Sequence, residues 1–158
     1  MKMCADITRY LSVPELTPRA SRGLALYVKD TKTTKGRGVF AGRRFRAGEL
    51  IEVAPVIVFN SACTLPRILA NLLYNWEEQT GEPQTRAIAL GYGSLYNHDN
   101  PVNLSYKVDA ATRAIRYSAT RDIAVDEELT INYSAASGCC TSAEDTWFER
   151  HQVPRWSR

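Results

Sequence analysis

Three short stretches of this chain bring together side chains able to hold a charged ligand, read a polar ring edge and orient a nucleophile. The first is Lys35-Gly36-Arg37-Gly38-Val39-Phe40-Ala41. Two glycines around one residue allow a backbone closed to other residues and let a ligand approach the main chain. Exposed N–H and C=O groups there suit the charged ends of an amino-acid-like molecule. The same pattern also makes a glycine-rich hairpin turn, and it lacks the Lys-Ser/Thr ending of a phosphate loop. The second stretch runs from Gly91 and Gly93 through Tyr96-Asn97-His98 to Asn103. Adjacent Asn and His supply several hydrogen-bonding groups at one point, enough to read an adenine edge and pin a loop. An Asx-turn beside a structural histidine is the competing reading. The third is Asp126-Glu127-Glu128 followed by Leu129-Thr130-Ile131-Asn132-Tyr133. An acidic turn leads there into an alternating strand that ends on a tyrosine, a residue that by itself reads as amphipathic packing.

The elements that must position these stretches are mostly β. Leu24, Leu26 and Val28 alternate with small or polar neighbours, which predicts a strand. A turn over residues 46–49 leads into a β run over 50–59, and Pro55 within it predicts a break or an edge there. Leu65, Ile68, Leu69, Leu72, Leu73 and Trp76 fall at helical spacing, with Pro66 suited to the first turn. Residues 74–76 fit a strand as well as the end of that helix. Residues 77–83 read as a polar loop. Strands are expected over 104–108, 114–119 and 128–133, and a helical turn within 144–152. Residues 1–22, with Pro14 and Pro18, read as an arm, 23–134 as the domain and 135–158 as a tail. Many short strands between turn signals predict a mainly β domain with one or two short helices.

Bulk properties narrow the class less. At 158 residues the chain suits one domain that needs no covalent staple. A net charge of +3 is too small to argue for a nucleic-acid site. No apolar run is long enough for a membrane span or a secretory signal, so the expected location is intracellular, cytoplasmic or nuclear. The four cysteines, Cys4, Cys63, Cys139 and Cys140, are expected as free thiols. With two histidines in the chain and no Cys-x-x-Cys pair, no metal site is expected.

Taken together and in this order, the three stretches resemble the motifs of the SET domain family, in its minimal, stand-alone form. GRGVFA resembles the first cofactor motif, YNH followed by Asn103 the Asn-His…Asn motif, and EELTINY the closing motif. The resemblance spans roughly residues 23–133. It implies a β-clip-like fold of several small sheets with a C-terminal pseudoknot, which would bring Asn97-His98 against Tyr133. It implies a protein-lysine N-methyltransferase that uses S-adenosylmethionine, releases S-adenosylhomocysteine and acts on a lysine-bearing protein such as a histone. A SET-fold binding module without catalysis is the alternative, and a homodimer is one option for the oligomeric state.

Carried over by motif, Lys35, Gly36, Arg37 and Gly38 would hold the methionine part of the cofactor. Asn97 and His98 would bind its adenosine and brace the threaded segment. Tyr133 matches the active-site tyrosine and Tyr106 a second tyrosine of the lysine channel. Asp99-Asn100 stands where many members have Ser-Cys, and no Cys-x-Cys follows. The resemblance therefore implies no zinc-bearing tail, and Trp147 or Phe148 would close the site against the cofactor. Ala135 stands where an aromatic often sets the degree of methylation, which leaves the product state open.

Overall fold

The computed structural model describes residues 25–134, which form nine strands and two short helices arranged in two sheets. β1 (Leu26–Asp30) and β2 (Arg37–Ala41) make an antiparallel hairpin in which Val28 faces Val39. Its turn closes where Thr31 N–H donates to the Gly36 carbonyl at 2.8 Å. Gly36 sits at φ 75°, a left-handed conformation that glycine adopts without a Cβ clash. Of the two glycines, therefore, Gly36 makes the turn and Gly38 lies within β2.

The first sheet is completed by two segments far away in sequence. β9 (Glu128–Ile131) pairs antiparallel with β2, and β6 (Asn97–His98) pairs in parallel with β9, Asn97 opposite Thr130 and His98 opposite Ile131. That pairing gives the juxtaposition of Asn97-His98 with the C-terminal motif implied by the resemblance. The second sheet has the order β4 (Leu73–Tyr74), β5 (Thr85–Ala89), β3 (Leu50–Asn60), β8 (Ala114–Ala119) and β7 (Leu104–Asp109). Fully buried Val39 and Leu129 of the first sheet join Ala54, Leu104, Ile115 and Tyr117 of the second in one core.

Three expectations need correction. β3 runs unbroken through Pro55, because the strand changes partner there. Residues up to Pro55 pair with β8, and Val56 onward pairs with β5. At that handover the missing N–H of proline costs no ladder bond. The long helix expected over residues 65–76 is instead a four-residue helix, α1 (Arg67–Ala70), followed by β4. Leu73 and Tyr74 face Ile88 and Ala87 of β5, so sheet pairing overrides the helical spacing.

The polar stretch after Trp76 is also a helix, α2 (Trp76–Thr80), where a loop was expected. Its ends were legible. Asn75 Oδ1 accepts from Glu78 N–H at 3.4 Å, and Gly81 terminates it at φ 77°, an Asn cap and a glycine stop. Trp76, fully buried, anchors this helix to the core. Among the described residues no helix is long and apolar enough to cross a membrane. Residues 144–152 lie outside the described region.

Candidate active site

The segment Tyr96-Asn97-His98 divides the site into two halves and touches both. On one side its side chains meet β2 and β9. Asn97 Nδ2 donates to the Arg37 carbonyl at 3.0 Å and to Glu128 Oε1 at 2.8 Å. His98 Nδ1 accepts the Tyr133 N–H at 3.1 Å, which assigns the ring proton to Nε2 when the imidazole is neutral. On the other side, the Tyr96 carbonyl accepts the Tyr133 hydroxyl at 2.8 Å. Tyr133 is thus held at both ends by two residues of one short segment. Asn103 secures the approach to it: its Oδ1 accepts Thr130 N–H at 2.9 Å and its Nδ2 donates to the Glu128 carbonyl at 2.7 Å. A 2 % exposed amide making these bonds fixes β9 in place; left unpaired, the same groups would carry a desolvation penalty.

Beyond Tyr133 lies a cavity of about 320 Å³. Tyr74, Tyr96, Tyr106 and Tyr133 line it, together with Ile131 and Asn132. Tyr74 and Tyr106 meet edge to face at 5.4 Å, the arrangement that aromatic quadrupoles favour. The hydroxyls are tied down: Tyr74 donates to the Gly93 carbonyl at 2.7 Å, and Tyr117 behind it donates to the Tyr74 oxygen at 2.8 Å. Gly93 is required there, since a Cβ would stand 2.6 Å from the Ala89 Cβ and 3.0 Å from the Tyr117 hydroxyl. Burial holds the phenols of Tyr74, Tyr96 and Tyr117 well above the ordinary range. The Tyr133 phenol is raised as well, first by burial and then by the Glu128 carboxylate. All four are neutral hydrogen-bonding groups at neutral pH. The outer rim is polar, with Asn71, Asn75, Glu78 and Arg86.

The other half is a charged cluster. Lys35 Nζ lies 3.7 Å from Asp99 Oδ2 and 3.8 Å from Glu128 Oε2, with its side chain only 15 % exposed. A Cβ on Gly38 would come within 2.9 Å of Asn97 Nδ2 and closer still to Glu128 Oε1. Glycine at that position therefore lets the carboxylate and the amide lie directly over the β2 backbone. Groups of both signs and main-chain polar atoms meet here, a set able to hold the charged ends of an amino-acid-like ligand.

The structure brings Lys35, Gly38, Asn97, His98 and Tyr133 together, and Tyr106 enters from the second sheet as a wall of the cavity. Gly36 lies in the hairpin turn beside them, and Arg37 takes part through its carbonyl. Trp147, Phe148 and Ala135 lie outside the described residues. So do the arm and three of the cysteines; Cys63 is exposed. Sequence reasoning missed Tyr74, Tyr96 and Glu128. Tyr96 and Glu128 stood inside quoted motifs and went unassigned, while Tyr74 was hidden by the helix-or-strand ambiguity around it.

The family model for the SET domain matches residues 36–134. The chain belongs to the SET domain family of protein-lysine methyltransferases. It is 34% identical over 128 residues to the histone-lysine N-methyltransferase, H3 lysine-37 specific, of Schizosaccharomyces pombe, covering 78% of this chain and 77% of that protein. Among solved structures it resembles a Plasmodium falciparum protein assigned as a histone methyltransferase, with a TM-score of 0.58 and 26% identity over 69% of this chain and 92% of that one. A chain of an active polycomb repressive complex 2 shares the fold alone, with a TM-score of 0.56 and 17% identity. The match covers 70% of this SET domain chain and 15% of the other.

Proposed function

We propose that this SET domain enzyme transfers a methyl group from S-adenosylmethionine to a histone lysine, with the charged cluster holding the donor and the tyrosine cavity receiving the lysine. The observation that carries the reading is the double tether of Tyr133, by its N–H to His98 and by its hydroxyl to Tyr96, where the two halves meet. Relatives with histone-methyltransferase names support the choice of substrate class.

When bound, the cofactor supplies an electrophilic methyl on a sulfonium. Lys35 would offer an ammonium to its carboxylate, and Glu128 an anion to its positive groups. The main chain of Gly36, Arg37 and Gly38 borders the same position. Asn97 and His98 brace the strand junction and would contribute to holding the adenosine. On the acceptor side the lysine must attack as a neutral amine, in line with the methyl. A cavity walled by buried rings disfavours the ammonium and lowers the lysine pKa. Tyr133, with its hydroxyl proton donated to the Tyr96 carbonyl, presents its oxygen lone pairs to the reacting groups and orients them electrostatically. Tyr106 narrows the channel. With its phenol held above the ordinary range by burial, Tyr133 is assigned an orienting role as a neutral phenol. A histone substrate places the enzyme in the nucleus, or in the cytoplasm on histones awaiting assembly.

The test is transfer of labelled methyl from S-adenosylmethionine to purified histones, with the modified lysine located by mass spectrometry. Transfer that requires Tyr133 supports the proposal. Cofactor binding without transfer to any histone, free or nucleosomal, defeats the substrate assignment, and absence of cofactor binding defeats the site assignment.

A further inference from the structure

One half-buried carboxylate lies behind the cavity and plays no part in the mechanism above. Glu52, on β3, accepts the Tyr96 hydroxyl at 2.8 Å through Oε2 and the Tyr92 N–H at 2.9 Å through Oε1. Tyr96 is 1 % exposed, and its ring packs against Tyr117 with centroids 4.8 Å apart. The turn over residues 90–95 is shaped around that carboxylate. Gly91 lies at φ 66°, and a Cβ there would overlap Glu52 Oε1. The turn is tied to both sheets: Leu90 N–H donates to the Pro55 carbonyl at 2.8 Å, and the Tyr92 hydroxyl to the Leu26 carbonyl at 3.3 Å.

We infer that Glu52 is a positioning residue, which fixes Tyr96 from behind and thereby sets where the Tyr96 carbonyl holds the Tyr133 hydroxyl. The inference rests on the methyl-transfer reading above. Its physical basis is the order of the contacts. Glu52 grips the Tyr96 side chain, Tyr96 grips Tyr133 through its carbonyl, and the Gly91 turn leaves the carboxylate room to do so. Hydrogen bonds to an ionised acceptor are stronger and shorter than neutral ones, so one carboxylate can hold both a phenol and a turn N–H. Without it, the Tyr96 hydroxyl and the Tyr92 N–H lose their common anchor. The turn leading to Tyr96 can then shift, the Tyr96 carbonyl can tilt, and the orienting hydroxyl moves with it. Misplacement of an orienting group by about 1 Å costs on the order of a hundredfold in rate.

The experiment compares Glu52→Ala, Glu52→Gln, Tyr96→Phe and the pair Glu52→Ala/Tyr96→Phe in the full chain, using S-adenosylmethionine and a histone substrate. Glu52→Ala and Tyr96→Phe should each lower kcat by roughly tenfold to a hundredfold, leaving both KM values within about threefold. The double variant should be no worse than the poorer single one, as expected for residues acting in series. Glu52→Gln still accepts the Tyr92 N–H and can donate to the Tyr96 oxygen, so it should recover most of kcat. NMR of isotope-labelled tyrosine, read without turnover, should show the Tyr133 resonance displaced in Glu52→Ala and restored in Glu52→Gln. If Glu52→Ala fails to fold, Tyr96→Phe removes the same bond from the other side. Multiplicative losses, an effect confined to KM, or an unmoved Tyr133 resonance would overturn the inference. An inactive wild type with the NMR coupling intact would instead overturn the methyl-transfer reading.

Discussion

Around Lys35 the site is built from charge: an ammonium near two carboxylates, an amide and exposed main chain, assembled on the four-stranded sheet. Beyond Tyr96 it is built from neutral phenols, packed edge to face and tied to carbonyls, with Tyr74 and Tyr106 supplied by the five-stranded sheet. On the methyl-transfer reading proposed above, the contrast would follow the two reactants. A cofactor with several fixed charges is held by complementary charges, which need not be deeply buried. A lysine that must lose its proton is better served by a site that desolvates it and lines its inner wall with neutral dipoles. The halves share one seam, the residues from Tyr96 to His98 against Glu128 to Tyr133, and that seam carries the hydrogen bonds on which both depend.

Breaking the comparison at its centre should give the largest effect. Tyr133→Phe removes the hydroxyl from the cavity while leaving the His98 bond to the main chain. It should lower kcat by about a hundredfold, with cofactor affinity by calorimetry essentially unchanged. A matching loss of cofactor binding would mean that the halves are not separable. Next, Asn103→Ala attacks the seam. It leaves the buried Thr130 N–H and the Glu128 carbonyl without their side-chain partner, at about 1–3 kcal/mol for each group. Urea unfolding should show the lower stability, and both cofactor binding and turnover should weaken together.

Gly38→Ala acts mainly on the charged half, from the β2 side of the seam. The new methyl displaces Asn97 and Glu128 from the β2 backbone, an overpacking of about 1–3 kcal/mol. Cofactor Kd should rise about tenfold, while kcat at saturating cofactor changes little. The mildest probe is alkaline pH, which addresses the phenolic half. Burial raises Tyr74, Tyr96, Tyr117 and Tyr133 above the ordinary phenol value of 10.0. Their contribution to stability is complete below that pH. It is lost as pH climbs toward the folded-state values, because the unfolded chain releases these protons first. Unfolding free energy measured from neutral pH upward should therefore stay flat with respect to these groups until about pH 10. The decline beyond it should be shallower in Tyr96→Phe.

Much of this was legible in the residues themselves. The alternation around Leu26 and Val28 and the strands expected over 104–108 and 114–119 read correctly, because strand periodicity is a local property. The order of the three motifs also carried the family, which the family match and the yeast relative establish. Local signals misled where pairing decided. The spacing of Leu69, Leu72, Leu73 and Trp76 suits a helix, yet β5 offered Leu73 and Tyr74 a strand partner, which turned Tyr74 into the cavity. Pro55 reads as a break until it is seen to sit where β3 changes neighbours.

What the sequence determined by itself was which chemical groups are available: the glycine-flanked Arg37, the Asn97-His98 pair, and the strand ending on Tyr133. Only the tertiary structure decided how they are used. Parallel pairing of a two-residue strand with β9 puts Asn97 on Glu128 and His98 on the Tyr133 backbone, across more than thirty residues of chain. No periodicity encodes such a contact. It exists because a buried amide, imidazole and phenol must each find a partner once water is excluded, and in this fold they find one another.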